Sequence, residues 1–172
     1  MERSIIVTKP SYYITTPIYY VNDIPHIGHA YTSIAADVLA RFMRLDDRSV
    51  HFLTGTDEHG LKVEQKARAA SRDPGSFVDD ISQSFRQMSD LLTLSNDDFI
   101  RTTESRHQDG AKALWTLLEK NGHIYESTYS GWYSVRDEAF YHESELVDGK
   151  APTGAPVEWV EEPCFFFRLS AF

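Results

Sequence analysis

Tyr12-Tyr13-Ile14-Thr15-Thr16 is a short aromatic and β-branched run stopped by Pro17, and Pro25-His26-Ile27-Gly28-His29 opens a long helical repeat soon after it. The first reads as a buried strand and the second as the start of a helix laid on a sheet. From about Ile27 to Leu45 the apolar positions Ala30, Tyr31, Ile34, Ala35, Val38, Leu39, Phe42 and Leu45 recur at helical spacing and mark one face. A loop from Pro17 to Pro25 joins the two elements. Strand, loop and amphipathic helix together begin a parallel α/β arrangement.

The next elements continue it. Ser49-Val50-His51-Phe52-Leu53-Thr54 reads as a second strand, ended by Gly55, and a further helix opens near His59. Asp73-Pro74 is a helix start with a physical basis: Asp caps free amides, and Pro at the first helical position gives up no needed hydrogen bond. Phe77, Ile81, Phe85, Met88 and Leu92 keep the helical period behind it. A short strand at Phe99-Ile100-Arg101 precedes a helix from about Glu104 to Lys120, with Asn121-Gly122 as its stop. From Ile124 the texture changes to short alternating aromatic runs such as Tyr129-Ser130-Gly131-Trp132-Tyr133 and Ala139-Phe140-Tyr141, and residues 149–156 are rich in turn formers. The expected organisation is residues 1–123 as the first half of a parallel α/β sheet and residues 124–172 as a β-rich module. The closing run, Cys164-Phe165-Phe166-Phe167-Arg168-Leu169-Ser170-Ala171-Phe172, is so apolar that further chain is expected to pack against it.

Composition narrows the function classes. A chain of 172 residues with 41% hydrophobic and 25% charged residues has the make-up of a folded globular protein, and three Trp, nine Tyr and ten Phe supply a core. A net charge of −9 argues against a surface built on phosphate contacts, which needs clustered Lys and Arg. The single cysteine, Cys164, excludes an intramolecular disulfide and a multi-cysteine zinc site within these residues, and its expected role is a small buried side chain. Met1 to Pro10 holds only three consecutive apolar residues, fewer than a secretory leader or a membrane helix needs. A cytoplasmic location without membrane attachment is therefore expected.

Three places carry chemistry. At Pro25-His26-Ile27-Gly28-His29, the free amides and partial positive charge of a helix start favour a phosphate, and two histidines there can donate to its oxygens. Gly28 lacks a Cβ, so a flat base can approach its backbone. The plainer alternative makes His26 and His29 polar residues of a first helical turn. At Leu53-Thr54-Gly55-Thr56-Asp57-Glu58-His59-Gly60, a carboxylate stands at the carboxyl end of a strand, where open α/β sheets place ligand groups. It can hold an ammonium group; the alternatives are a helix cap or a metal site, and Asp57 with His59 falls short of a ligand set. Ile18-Tyr19-Tyr20 offers a wall for a small apolar pocket, with core packing as its alternative.

These residues together resemble the class I aminoacyl-tRNA synthetases, and the methionyl-tRNA synthetase family most closely. The blocks that carry the resemblance are Tyr13-Ile14-Thr15-Thr16-Pro17-Ile18-Tyr19-Tyr20-Val21-Asn22, His26-Ile27-Gly28-His29-Ala30-Tyr31 and Ala35-Ala36-Asp37-Val38-Leu39-Ala40-Arg41. Further along stand Thr54-Gly55-Thr56-Asp57-Glu58-His59-Gly60, Asp98-Phe99-Ile100-Arg101-Thr102-Thr103, Gly131-Trp132-Tyr133 and Phe166-Phe167-Arg168-Leu169-Ser170. The His-Ile-Gly-His block alone is similar to the whole superfamily; the series in this order is specific.

The resemblance implies the first half of a Rossmann-like catalytic domain followed by part of a β-rich connective-peptide insertion. It implies a methionine–tRNA ligase: the methionine carboxylate attacks the α-phosphorus of ATP, which enters with Mg2+, and the methionyl group then passes from adenylate to tRNA. His26 and His29 are implied as the catalytic contacts to the ATP phosphates, Asn22 and Gly28 as further parts of the nucleotide site. Asp57 is implied to hold the methionine ammonium, with Ile18 and Tyr20 lining the side-chain pocket. Two departures stand out. Family members that bind zinc carry paired cysteines after the Trp-Tyr block, where this chain reads Ser134-Val135-Arg136-Asp137, so no zinc is expected here. The family's second signature, a Lys-Met-Ser-Lys-Ser-like loop, does not occur in these residues, nor does the helical domain that reads tRNA. The chain alone is thus expected to be inactive, with most tRNA contacts lying outside it. Another class I synthetase or related nucleotidyltransferase remains an alternative, as does a catalytically inactive short binding module.

Overall fold

The computed structural model describes residues 9–172. Of the amino-terminal stretch read above for a leader, Met1 to Thr8 lie outside those residues. Contacts divide the chain into two compact units, one ending at Gly110 and the other beginning at Ala111.

In the first unit, strand β1 (Ser11–Thr15) leads through β2 (Tyr19–Tyr20) to helix α1 (Ile27–Leu45) and strand β3 (Ser49–Asp57). Helices α2 (Leu61–Ala69) and α3 (Pro74–Leu91) follow, then strand β4 (Asp98–Arg101) and the start of α4 (Ser105–Lys120). All strand pairs are parallel. β3 lies between β1 and β4, with Tyr13 opposite His51 and Thr54 opposite Phe99, while β2 continues the β1 side with Tyr19 opposite Thr56 and Tyr20 opposite Asp57. This is the expected parallel half-sheet.

Helix α1 keeps the expected bounds because both of its ends are written locally. His26 caps its amino terminus, and the amides of Asp46 and Asp47 close its last turn on Phe42 and Arg44 carbonyls. One cluster packs Ala36 and Ala40 of α1 on Phe52, Ile14 and Val50; the other joins Tyr19, Val21 and Phe99 to Val63, Ala67, Phe77, Val78 and Phe85. Asp37 ties α1 to the chain before β4, its carboxylate taking the Ser95 amide, the Ser95 hydroxyl and Arg41 Nε at 2.6 Å each. Desolvation raises the Asp37 pKa, but these donors outweigh it and hold the group below its ordinary range.

Three expectations change. The strand does not end at Gly55 but runs through it to Asp57, because Gly55 pairs with Ile100 of β4. The loop from Pro17 to Pro25 contains a two-residue strand, β2, that only the β3 ladder defines. Cys164 is half-buried rather than buried.

The second unit, Ala111 to Phe172, contains the rest of α4 and an antiparallel sheet. Strand β5 (Ile124–Ser134) lies between β6 (Ala139–Tyr141) and β7 (Glu158–Phe167). The run Tyr129–Tyr133, read as a short piece, is thus part of the long strand β5, whereas Ala139-Phe140-Tyr141 is the separate strand β6; Trp132 pairs with both Tyr141 and Trp159 across the sheet. Gly131 allows this: a Cβ there would lie 3.1 Å from the Phe140 ring. The Asp137 carboxylate gathers Arg136 Nε at 3.2 Å, the Tyr141 hydroxyl at 3.1 Å and the Thr153 hydroxyl, joining the turn after β5 to the turn-rich segment. No helix among the described residues is long and apolar enough to cross a membrane.

Candidate functional site

The site grows from the first turn of α1. His26 has extended backbone dihedrals and is the N-cap: its Nδ1 accepts from the Gly28 amide at 3.1 Å. The His26 amide in turn donates to Nδ1 of His29 at 3.1 Å. The two imidazoles therefore form a reciprocal capping box, a role normally taken by Ser or Thr with Glu. Their rings stack with centroids 3.8 Å apart. Because each Nδ1 accepts a backbone amide, each neutral ring carries its proton on Nε2 and presents an N–H donor at its far end. Capping thus uses Nδ1 of each ring and leaves the Nε2–H to face a ligand, so the structural reading and a phosphate-binding one are compatible.

Gly28 acquires a local reason in addition to the one read from the sequence. A Cβ there would sit 2.9 Å from Cε1 and 3.1 Å from Nδ1 of His26, displacing the ring that makes the cap. His29 is further fixed from below. The Tyr19 ring meets it edge-on at 4.9 Å and Phe85 at 5.0 Å, and the Tyr19 hydroxyl shares a 2.7 Å hydrogen bond with Ser33. Beside His26 opens an apolar cleft of about 510 Å3, lined among others by Pro25, Ala30, Met88 and Leu92.

Burial, and then the neighbouring His26, lower the His29 pKa below the ordinary imidazole value of 6.5. His29 is thus a neutral donor at physiological pH. Since the folded value lies below the unfolded one, the unfolded chain binds the proton first as pH falls. Stability from this group is therefore complete above about pH 6.5 and declines as pH drops toward the folded value. Urea unfolding midpoints across pH 7.5 to 5 should fall more steeply for the native chain than for His29→Gln; parallel slopes would mean that His29 does not titrate in this manner.

The second part lies at the end of β3. Tyr20 stands opposite Asp57 in the β2–β3 ladder, and the Val21 amide donates to the Asp57 carbonyl at 3.3 Å. Gly60, with φ +111°, lets the Tyr20 hydroxyl approach to 2.3 Å of where a Cβ would be. Thr56 bonds Ser82 of α3 at 3.0 Å, and Glu58 is also turned inward, bound to Arg101. Alternation along the strand turns Asp57 the other way. Its carboxylate makes no hydrogen bond or ion pair with any described residue. An unpaired carboxylate at a strand end beside a tyrosine can take a cationic group.

β2 connects the two parts. Tyr19 contacts His29, and the next residue, Tyr20, is paired with Asp57. Asn22 follows in the turn, half-buried, and Ile18 precedes the strand, exposed. The fold thus places Tyr20 and Asp57 in register and His26 and His29 in contact; Ile18 and Asn22 are near in sequence, without a side-chain bond to any described residue. What the residue pattern alone passed over is the support: Tyr19 beneath His29, and Glu58 with Arg101 beneath Asp57. The signal for Glu58 was present as the second of two adjacent acids, but its partner is far away in the chain. Among the described residues, no three His, Cys, Asp or Glu side chains gather to hold a metal ion.

Known proteins resemble this arrangement. The family model described as tRNA synthetases class I (M) matches residues 12–162. The methionine–tRNA ligase of Rickettsia felis is 64% identical over 163 residues, 94% of this chain and 32% of that protein. That of Mesorhizobium japonicum is 53% identical over 171 residues, 96% of this chain and 33% of the relative. A solved structure of Mycobacterium tuberculosis methionyl-tRNA synthetase in complex with methionyl-adenylate superposes with a TM-score of 0.85 at 53% identity, over 94% of this chain and 33% of that one. The chain spans about a third of the length of the curated relatives it matches.

Proposed function

Because the chain belongs to the class I methionyl-tRNA synthetase family, we propose that it forms the ATP- and methionine-facing portion of a methionine–tRNA ligase. The observation that carries this is the two-residue strand β2, whose Tyr19 braces His29 while Tyr20 is paired with Asp57. A phosphate-type donor pair and an open carboxylate are thereby tied to one short segment, as a reaction joining a nucleotide to an amino acid requires. The solved relative's bound methionyl-adenylate supports the same reading.

In this proposal His26 and His29 donate through Nε2 to the phosphates of ATP, which arrives with Mg2+, and Gly28 and Asn22 shape the nucleotide side. Asp57 takes the methionine ammonium, and Ile18 and Tyr20 line the pocket for its side chain. No enzyme nucleophile is used for adenylate formation: the methionine carboxylate attacks the α-phosphorus and pyrophosphate leaves. The chain's part is to align the two substrates and to meet the negative charge that develops on the phosphates. Residues 1–123 are read as the first half of the catalytic domain and 124–172 as the start of the connective insertion, which the change to antiparallel strands from Ile124 supports. Transfer to tRNA and the lysine-rich second signature are assigned to sequence beyond these residues, in a cytoplasmic enzyme.

ATP–pyrophosphate exchange tests the proposal. The complete enzyme should exchange with methionine and not with leucine or valine, and the 172 residues alone should show negligible exchange. Asp57→Asn should raise the methionine KM by about tenfold or more, since a charged hydrogen bond is lost, and leave the ATP KM unchanged. Exchange with leucine but not methionine would overturn the assignment.

A further inference from the structure

Two carboxylates stand side by side at the end of β3, and the fold treats them oppositely. The carboxylate of Glu58 is fully buried and saturated. Arg101 binds it in a fork, Nε to Oε1 at 2.7 Å and Nη2 to Oε2 at 2.9 Å. The hydroxyls of Thr56 and Thr103 donate to the same two oxygens. The same Nη2 also donates to Asp79 of α3, at 2.6 Å. The backbone follows the same lines: the Glu58 amide donates to the Thr102 hydroxyl at 2.9 Å, the Thr102 amide to the Thr56 carbonyl at 3.2 Å, and a ring nitrogen of His59 lies 3.2 Å from the Thr102 carbonyl. Residues 101–103 therefore hold Thr56, Glu58 and His59, and Asp57 is the acid of the turn left open among the described residues.

A lone buried carboxylate beside Asp57 would repel its charge and compete for any cation. Arg101 removes both effects, because it neutralises Glu58 and is itself committed to Glu58 and Asp79. Burial pushes Glu58 up, but the donors from Arg101, Thr103 and Thr56 outweigh it and keep the group ionised. The fork also fixes the guanidinium plane, which a lysine cannot do.

We propose that Glu58, Arg101 and Thr103 are positioning residues that hold the turn so that Asp57 alone faces the amino-acid ammonium. The inference rests on the role proposed for Asp57 and extends it to residues that do not touch substrate. It predicts a selective defect. Arg101→Lys and the milder Thr103→Val, made in the complete enzyme, should each weaken methionine, by about tenfold for Arg101→Lys and less for Thr103→Val. The KM for ATP and the affinity for 4-(methylthio)butanoate, which lacks the ammonium, should not change.

Equilibrium binding of methionine and of 4-(methylthio)butanoate, with ATP KM from exchange kinetics, separates the outcomes. Loss confined to methionine in both variants supports the inference. Equal loss for all three ligands shows a merely structural ion pair and overturns it, as does unaltered methionine binding in both variants. Asp57→Asn serves as the reference. If it loses methionine while Arg101→Lys and Thr103→Val do not, only the inference fails; if it too binds methionine normally, the reading of Asp57 fails and the inference with it.

Discussion

Replacing His26 by asparagine is expected to leave α1 capped and to slow adenylate formation in the complete enzyme by about 10²-fold. The two ring nitrogens face different partners. Nδ1 accepts the Gly28 amide at 3.1 Å, and an asparagine carboxamide oxygen reaches a similar place; asparagine is among the best N-cap residues. The far nitrogen has no counterpart in asparagine, so the proposed donor to phosphate is lost. Removing one preorganised donor of this kind typically costs about 10²- to 10³-fold in rate. His26→Gln should do the reverse, since its longer side chain carries an N–H nearer the Nε2 position but caps poorly. That variant should keep more activity and lose about 1 kcal/mol of stability. Exchange kinetics beside thermal unfolding read both quantities. A normal rate in His26→Asn would show that the imidazole serves only the helix, the plainer alternative raised by the sequence.

How much of this was legible in the sequence depends on how far apart the determinants lie. Helix α1 and helix α3 are written locally, in an apolar period with a capping residue at its start, and their expected starts match what is observed. The paired histidines were legible as a candidate for the same reason, since residues 26 and 29 share one helical turn. Strand β2 was not, because Tyr19 and Tyr20 become a strand only by pairing with Thr56 and Asp57. The adjacent acids show the limit most clearly. The sequence sets Asp57 and Glu58 side by side, and nothing local says which is saturated. The answer lies in Arg101 and Thr103, 43 and 45 residues from Glu58. Gly55 misled for a related reason: glycine usually punctuates a strand, and here it is required within one by a neighbour that is distant in the chain.

That neighbour makes Gly55→Ala the substitution with the largest expected cost in stability. A Cβ at position 55 would lie 2.0 Å from the carbonyl oxygen of Ile100 and 2.7 Å from its Cγ2. The oxygen belongs to the backbone of β4, so no side-chain rotation relieves the clash; β4 must move away from β3. The ladder from Leu53–Asp98 to Thr56–Arg101 is disturbed, and the Arg101–Glu58 fork lies next to its end. Overpacking commonly costs about 1–3 kcal/mol, and a backbone clash inside a ladder belongs at or above the top of that range. For a protein of this size, about 3 kcal/mol lowers Tm by roughly 6–12 °C. Gly110→Ala is the matching control. Gly110 lies within α4 with nothing inside 4 Å of the added carbon, so the same methyl should stabilise by about 0.5–1 kcal/mol. Thermal unfolding of the two variants should therefore move in opposite directions. If Gly55→Ala unfolds within about 0.5 kcal/mol of the native chain, β3 does not run beside β4 at this position, and the turn that presents Asp57 is not held as described.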